Sequence, residues 1–423
     1  QPLGAHPFGE NINLYDGTLS FEETDIDVPG NGPAIRLGRS MAPGQPDEPG
    51  GQTNAQRPFG DWDLEIPRIE TMTASETGWQ TGFPGVSTGT TQRCTNFAPP
   101  PYGTSLPYGG TWAPEQFWYG YHLIVPGQGN QTLLPRGTGN TLSPTMSGMS
   151  FPIATKNNWM IGCGITASDG GEGFLAIAPD GTRYTFARLV YRPQVEITEA
   201  TGTILPVAPS AQTTGLAQGG IHPMITPEGT DILLRKDALM YVTQIQDRFG
   251  NTLTYNYSGD NLSSIVASDG RQVTFTYVSG TSLVQTVTVQ SSNATPRTWT
   301  YSYDTTNPAY PTLINLQLPD GSAWSYRMGG LAWKPITTLG GDCSGNQLPI
   351  LITNGVSGSI THPSGLTATF TLAPTLHGRS YVPQYCYGIG AGSNDHPSSF
   401  YPEYEYQFSL TSEVLSGAGL PTR

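Results

Sequence analysis

A short turn-and-strand phrase occurs three times in this chain, and it limits the fold more than any other feature of the sequence. The copies are PDGTRYTF at residues 179–186, SDGRQVTFTY at 268–277 and PDGSAWSY at 319–326. Each contains an Asp-Gly pair, which supplies the positive φ values that a tight hairpin turn requires. The predicted repeat turns are Asp180 with Gly181, Asp269 with Gly270, and Asp320 with Gly321. Each copy is therefore expected to form a turn followed by a β-strand.

Apolar residues after these turns recur at every second position. Val273, Phe275 and Tyr277 alternate with polar residues, and the segment NTLTYNY at 251–257 shows the same pattern. This alternation indicates strands with one buried face, and hairpins that cannot bury that face alone must stack on neighbours. We therefore predict an all-β fold built as an antiparallel strip of stacked hairpins, with almost no helix. The passage LLRKDALMY at 233–241 has modest helical character, yet it is short enough to be a strand with a turn.

Composition excludes several classes of protein. The 423 residues carry a formal net charge of −13, and a chain this acidic is a poor ligand for nucleic acid or an anionic membrane. The 21 tyrosines, 14 phenylalanines and 8 tryptophans provide the burial that a folded protein needs. No run of about eighteen apolar residues is present, so we expect no membrane-spanning helix.

The four cysteines are Cys94, Cys163, Cys343 and Cys386, and none has the spacing of a zinc site. We expect disulfides between the nearer partners, Cys94 with Cys163 and Cys343 with Cys386. The alternative is four reduced thiols in a cytosolic protein. The disulfide candidates, the scarcity of lysine and a first residue that is Gln1 rather than Met favour a secreted or cell-surface location.

Motifs for catalysis or cofactor binding are weak. The segment GVSTG at 85–89 matches a nucleophile elbow, but it lies in a Gly, Ser and Thr loop instead of between a strand and a helix. The six histidines are scattered, and no two have the spacing of metal ligands. We therefore expect no enzyme activity, no cofactor and no metal site.

Two clusters of acidic residues alternate along predicted strands. They are Glu23, Asp25 and Asp27, and Asp61, Asp63 and Glu65. Alternation places the carboxylates of each cluster on one strand face, an arrangement open to glycosidase chemistry or Ca²⁺ binding. A solvated strand face explains the pattern equally well.

An aromatic stripe lies in the segment FWYGY. Phe117, Tyr119 and Tyr121 alternate onto one face of a predicted strand, with Trp118 on the other. Such a stripe binds sugars by stacking, but in a β-rich chain aromatic residues more often form the core.

The segment at 247–277, DRFGNTLTYNYSGDNLSSIVASDGRQVTFTY, resembles a YD repeat of the bacterial Rhs (rearrangement hot spot) proteins. These proteins are relatives of the toxin-complex cocoon subunits and of animal teneurins. Residues 16–41, DGTLSFEETDIDVPGNGPAIRLGRSM, are similar to the segment with which many Rhs proteins open their shell. The resemblance implies a β-strip that spirals into a hollow shell, often around a toxic C-terminal domain.

On this basis we divide the chain into an opening β-segment (1–75), a loop-rich β-segment (76–210) and a YD-repeat-like strip (211–423). We expect a non-enzymatic shell or surface scaffold that forms the N-terminal part of a larger secreted or surface protein. The alternatives are a secreted carbohydrate-active β-propeller or β-solenoid enzyme, and a surface adhesin.

The expected partners are further YD-repeat strip from the parent protein, or other copies of the chain. The segment EYEYQFSL at 403–410 is a long amphipathic strand near the end of the sequence, and an uncovered edge strand pairs readily with another strand. A cell-surface or carbohydrate ligand is the second class of partner, whereas nucleic acid is not expected.

Overall fold

The computed structural model of the chain describes residues 6–43, 56–82, 88–104, 111–137, 139, 143–205, 224–291, 294–332, 355–378 and 404–417. The strands in chain order are β1 (Glu10–Ile12), β2 (Leu19–Val28), β3 (Ile35–Met41), β4 (Asp63–Glu65), β5 (Arg68–Ala74), β6 (Gly103–Thr104), β7 (Thr111–Trp112), β8 (His122–Ile124), β9 (Asn130–Pro135), β10 (Ser150–Thr155), β11 (Met160–Thr166), β12 (Glu172–Ile177), β13 (Arg183–Leu205), β14 (Met224–Gln246), β15 (Thr252–Ser258), β16 (Asn261–Ala267), β17 (Gln272–Tyr277), β18 (Val284–Ser291), β19 (Ala294–Asp304), β20 (Thr312–Gln317), β21 (Ala323–Arg327), β22 (Val356–Thr361), β23 (Thr367–Gly378) and β24 (Tyr404–Ser416). Two helices of four residues occur in these ranges, α1 (Pro114–Phe117) and α2 (Gly329–Ala332).

The described strand pairs are all antiparallel, which confirms the prediction of an almost entirely antiparallel β-fold with very little helix. The passage at 233–241 lies inside β14 and is extended throughout. None of the helices in the described ranges has the length and hydropathy needed to cross a membrane.

Strands β5 and β8–β14 form a closed ring. In chain order each strand pairs with the next, and β14 then pairs with β5 to complete the circle. Along one edge, β14 pairs with β13; along the other, residues 235–241 pair with β5 and residues 244–246 pair with β15. The sheet therefore forks at β14. Strands β15–β24 continue from this fork as a strip of successive hairpins, called the strip below.

The first four strands, β1–β4, form a separate N-terminal sheet that packs on the strip. Phe21 from β2 lies edge-on to Phe370 from β23, with 5.0 Å between ring centroids. Trp62 lies edge-on to Tyr326 at 5.6 Å, and both side chains are almost fully buried. One continuous apolar core joins the two sheets because each has an alternating pattern with one face to bury.

Tight turns in the ring and the strip share one geometry. At 178–182 the Gly181 N–H donates to the Ala178 carbonyl (2.9 Å), and the Ala178 N–H donates to the Thr182 carbonyl (2.8 Å). The same two bonds close the turns at 247–251, 267–271, 318–322 and 362–366. This pattern is a type I turn followed by a left-handed residue, the three-residue hairpin loop with a G1 bulge.

The Asp-Gly pairs occupy three of these turns. We expected positive φ at both residues of each pair, but only the glycine has it. The values are +88° at Gly181, +88° at Gly270 and +84° at Gly321. The aspartate instead accepts a hydrogen bond from the backbone two residues later. Asp180 Oδ1 accepts from the Thr182 N–H at 2.9 Å. Asp is suited to this position because its side chain mimics a turn of the backbone.

A disulfide between Cys94 and Cys163 ties the loop after β5 to β11 of the ring, with 5.3 Å between the Cα atoms. The neighbouring Arg93 is buried; its Nε donates to the Trp79 carbonyl (2.7 Å), and its guanidinium pairs with Asp169. Cys343 and Cys386 lie outside the described residues.

Candidate functional site

A four-residue motif, Thr-aromatic-any-Tyr, recurs on alternate strands of the strip. The copies are TYNY at 254–257 in β15, TFTY at 274–277 in β17 and TYSY at 300–303 in β19. The aromatic residue at the second position is buried in each copy; these residues are Tyr255, Phe275 and Tyr301. Sequence analysis noted the alternation of these strands but missed the shared motif, although the threonine and the two rings are readable from the sequence.

The final tyrosine of each copy bonds to the backbone of the preceding strand. The Tyr257 hydroxyl donates to the Val242 carbonyl (2.7 Å), and the Tyr277 hydroxyl donates to the Leu262 carbonyl (2.6 Å). The Tyr303 hydroxyl donates to a third carbonyl, that of Val284, at 2.7 Å. We call these three contacts the tyrosine clamps.

A β-bulge accompanies every clamp. The register shifts by one residue immediately before Tyr257, Tyr277 and Tyr303, so the following strand has one extra residue at that point. A bulge interrupts the ladder, and the clamp of the next copy supplies a donor beside it: the acceptors of Tyr277 and Tyr303, the carbonyls of Leu262 and Val284, adjoin the extra residues 263 and 285 of the preceding bulges. Burial raises the pKa of Tyr257 and Tyr303 well above the ordinary phenol value, so both remain protonated donors.

A buried ion pair joins the N-terminal sheet to the strip. Arg39 from β3 binds Asp25 from β2 through two bonds, Nε to Oδ2 at 2.6 Å and Nη2 to Oδ1 at 2.9 Å. The exposed fractions of the two side chains are 1% and 6%. Burial opposes the charge of Arg39, but Asp25 and the nearby phenols raise its pKa well above the usual value, so it remains cationic.

The strip supplies the remaining partners of this ion pair. The Tyr301 hydroxyl donates to Asp25 Oδ2 (2.9 Å), and Arg39 Nη2 donates to the Tyr326 hydroxyl (2.9 Å). The guanidinium also lies over the Trp62 ring, 4.8 Å from its centroid. A buried charge is tolerated only when it is paired and hydrogen-bonded, and here both sheets are needed to meet that requirement.

The hairpin tip between β2 and β3 contacts two turns, that at 247–251, where the Asn251 amide donates to the Asn31 carbonyl at 3.3 Å, and that at 267–271. Arg271 Nη2 donates to the Pro33 carbonyl at 3.0 Å, and the Asn31 N–H donates to Asp269 Oδ2 at 3.0 Å. Gly30 lies so close to the Arg271 guanidinium that a Cβ atom would overlap it. The close approach of this side chain favours glycine at position 30.

Asp61 forms a third contact between the segment before β4 and the strip. Its Oδ1 accepts a hydrogen bond from the Leu313 N–H at 2.8 Å, and the residue is 1% exposed. Burial raises the pKa of Asp61 to about 7, although Arg57 and Arg39 lower it in part. A neutral carboxyl group is therefore favoured in this position below neutral pH.

Neither acidic cluster forms a solvated strand face, because most of its carboxylates are buried or paired with arginine. A bulge between Thr24 and Ile26 turns Asp25 inward, while Asp27 stays half exposed and pairs with Arg36. In the second cluster, Asp63 pairs with Arg192 and Glu65 with Arg68; the Glu65 residue is 9% exposed.

The interpretation of FWYGY as a strand stripe is wrong. Phe117 ends helix α1, Tyr119 is 65% exposed, and Tyr121 is buried against Trp79 with parallel rings at 5.7 Å. The Trp118 indole donates to Thr71 Oγ1 at 2.9 Å. The proline at the start of α1 favours a helical turn and breaks the alternation. Core packing is therefore the role of Tyr121 and Phe117.

The remaining sequence candidates have no common site. Ser87 of the GVSTG segment lies outside the described residues. Within the described ranges, no group of three or more His, Cys, Asp or Glu side chains is arranged to hold a metal ion.

No protein-family model matches the sequence, and no curated protein matches it. Among solved structures, a chain in "Crystal Structure of TcdB2-TccC3-Cdc42" is 11% identical in sequence, with a TM-score of 0.34. The alignment covers 96% of the present chain, which spans 19% of the length of that chain.

Proposed function

We propose that this chain is a non-enzymatic scaffold of the Rhs/YD-repeat type. It forms the N-terminal part of a larger secreted or surface β-shell of the kind that encloses a toxin domain. The observation that carries the proposal is the repeated unit of turn, Thr-aromatic-any-Tyr strand, bulge and tyrosine clamp. Units that contact only their neighbours can be added along one direction, as in solenoid proteins.

The bulges support a curved strip. Each bulge bends its strand and increases the local right-handed twist, and three of them occur at corresponding points of successive hairpins. Bends repeated in one direction curve a strip toward a closed wall. The clamps hold each bend in place because the hydroxyl fixes the distance between adjacent strands.

The contacts of the acidic residues support a structural role. Asp25 and Asp63 each bind a largely buried arginine, and Asp61 binds a backbone amide of the strip. Asp237, whose pKa is raised to about 6 mainly by burial, is held by the Gln194 amide. Carboxyl groups engaged in this way position strands and are not free to attack a substrate.

The proposed partner is further β-strip. Strand β24 pairs with β23 on one edge, and its Leu410 N–H donates to the Gly17 carbonyl (2.8 Å). A further strand could add along the part of β24 that faces away from β23 and is not bonded to Gly17. It would satisfy backbone groups and extend the core, which is the physical reason that edge strands associate.

Two measurements on the purified chain test the proposal. Reducing-end release from a panel of polysaccharides is expected to stay at the level of a protein-free control. Sedimentation velocity over a dilution series is expected to show association that increases with concentration. Hydrolysis that is abolished by Asp237→Asn would favour the carbohydrate-active alternative. A single monomeric species at all concentrations would contradict association through a β-strip edge.

A further inference from the structure

A crevice opens where the sheet forks. Tyr241 is the last residue of β14 that pairs with β5, and Gln244 is the first that pairs with β15. Between these points the two sheets diverge, and the space between them is a cavity of about 320 Å³. This size lies at the lower end of the range for small-molecule sites.

The backbone at the fork is satisfied without filling the crevice. The Val242 N–H donates to the Pro67 carbonyl (3.1 Å), and the Val242 carbonyl accepts the Tyr257 clamp. No strand or side chain is therefore required to enter the space in order to pair these groups. The crevice is a stable consequence of the fork.

The walls of the crevice combine apolar side chains with a larger exposed polar surface. Leu64, Val190 and Leu262 line the crevice together with Tyr241 and Tyr257, whose rings are nearly parallel with 6.3 Å between centroids. Polar atoms contribute the larger share of the exposed lining, which suits a ligand that carries several hydroxyl groups.

Arg192 provides an oriented donor group in the wall. Its Nη1 binds Asp63 Oδ2 at 2.5 Å, and its Nη2 binds the Tyr241 hydroxyl at 2.8 Å, which fixes the plane of the guanidinium. A guanidinium has five N–H donors, so these two contacts leave others for a ligand. Within the described part of the chain, no hydrogen bond engages the side chains of two further lining residues, Asn261 and Ser282.

The charges of the crevice are balanced. Asp63 neutralises Arg192 in the wall, and at the mouth Asp260 pairs with Arg188 at 2.9 Å. A ligand with a net charge would disturb one of these pairs, whereas an uncharged ligand would not. Free hydroxyl, amide and guanidinium groups beside tyrosine rings suit a molecule that has hydroxyls on its edge and C–H groups on its faces.

From this geometry we propose that the crevice binds an uncharged monosaccharide. The hydroxyls of the sugar would bond to Asn261, Ser282 and the remaining donors of Arg192, and its C–H face would pack on Tyr257. The scaffold function does not require this ligand, so either proposal can fail without the other. The small contact area predicts weak, millimolar binding.

The test is ligand-observed saturation-transfer NMR with glucose, galactose, mannose and N-acetylglucosamine, followed by titration of any sugar that binds. Asn261→Leu, which keeps the size of the side chain and removes its amide, is expected to weaken binding at least about tenfold, the loss of a buried hydrogen-bonding partner. Asn256→Leu in the same hairpin is the matched control, because that side chain is exposed and, among the described residues, bonds only to Ser264.

Urea midpoints of both variants check folding, and Ser282→Leu repeats the test on a different loop. Binding that is lost in Asn261→Leu or Ser282→Leu but kept in Asn256→Leu supports the site. The proposal is overturned if no sugar of the panel binds the native chain, or if binding is unchanged in both crevice variants.

Discussion

Removal of Asp25 should open the contact between the N-terminal sheet and the strip. In Asp25→Leu, the Arg39 guanidinium remains at a position where the native side chain is 1% exposed, with no carboxylate to balance it. Breaking a buried ion pair in this way costs about 3–5 kcal/mol. The Tyr301 hydroxyl also loses its acceptor, which adds about 1–3 kcal/mol.

The double variant Asp25→Leu with Arg39→Met should lose less stability than the sum of the losses in the two single variants. Replacing both charges by apolar groups removes the uncompensated guanidinium, so only the partners of two phenols are lost. We expect a coupling energy of at least about 2 kcal/mol between the two sites. The matched control is the exposed pair of Asp27 and Arg36 on the same two strands, 3.2 Å apart, where the same cycle should give less than about 1 kcal/mol.

Native-state hydrogen exchange of the β2 and β3 amides measures the free energy of opening at this contact directly. Protection should fall in Asp25→Leu and recover in part in the double variant, while the ring amides of β11 and β12 keep their native protection. Equal and additive losses at the buried and exposed pairs would refute the reasoning, because they would show that burial does not set the strength of the Asp25 contact.

Three further changes test other contacts. Cys94→Ala with Cys163→Ala should lower the free energy of unfolding by about 4 kcal/mol, since the disulfide closes a loop of 69 residues; urea denaturation measures the loss, and an unchanged midpoint would contradict it. Tyr277→Phe should cost about 1 kcal/mol by leaving a carbonyl without its donor, whereas Tyr15→Phe at a 94% exposed position should cost nothing measurable by the same method. Because the pKa of Asp61 is raised from 3.8 to about 7, its stabilising effect is complete below about pH 4 and is lost as the pH rises through 7. The total loss in the free energy of unfolding is about 4 kcal/mol. Asp61→Asn should abolish that part of the pH dependence of unfolding, and an identical pH profile in the variant would show that another group is responsible.

Local features of the fold could be predicted from the sequence because they depend on neighbouring residues. The alternation of Val273, Phe275 and Tyr277 requires a strand with one buried face, and the glycine at 270 requires a turn with positive φ. Both follow from the chemistry of a few consecutive side chains. The prediction of positive φ at the aspartates was wrong because the Asp-Gly pattern suits two turn types, and only the loop length distinguishes them.

The fork and the buried contacts could not be predicted in this way. Residues 235–246 have the same alternating strand pattern whether their outer edge pairs with one strand or with two. The sequence of β14 therefore does not reveal that this edge pairs first with β5 and then with β15. Asp25 and Asp27 lie two residues apart, so the alternation treats them alike, and the local pattern does not reveal the bulge between Thr24 and Ile26 that gives them different surroundings. The partners Tyr301 and Tyr326 lie far along the chain, beyond the reach of any local rule.

The shared strand β14 also determines how the molecule responds to mechanical force. Hairpins of the strip can be peeled apart one hydrogen bond at a time when a pulling force acts across their strands. The ring offers a different resistance, because β13 and β14 pair along almost their whole length and must slide past each other to separate. A load applied along the chain from the strip would reach this ladder at β14 and be divided over many bonds at once. The hairpins should consequently unravel first, in sequence, while the ring remains as the anchor.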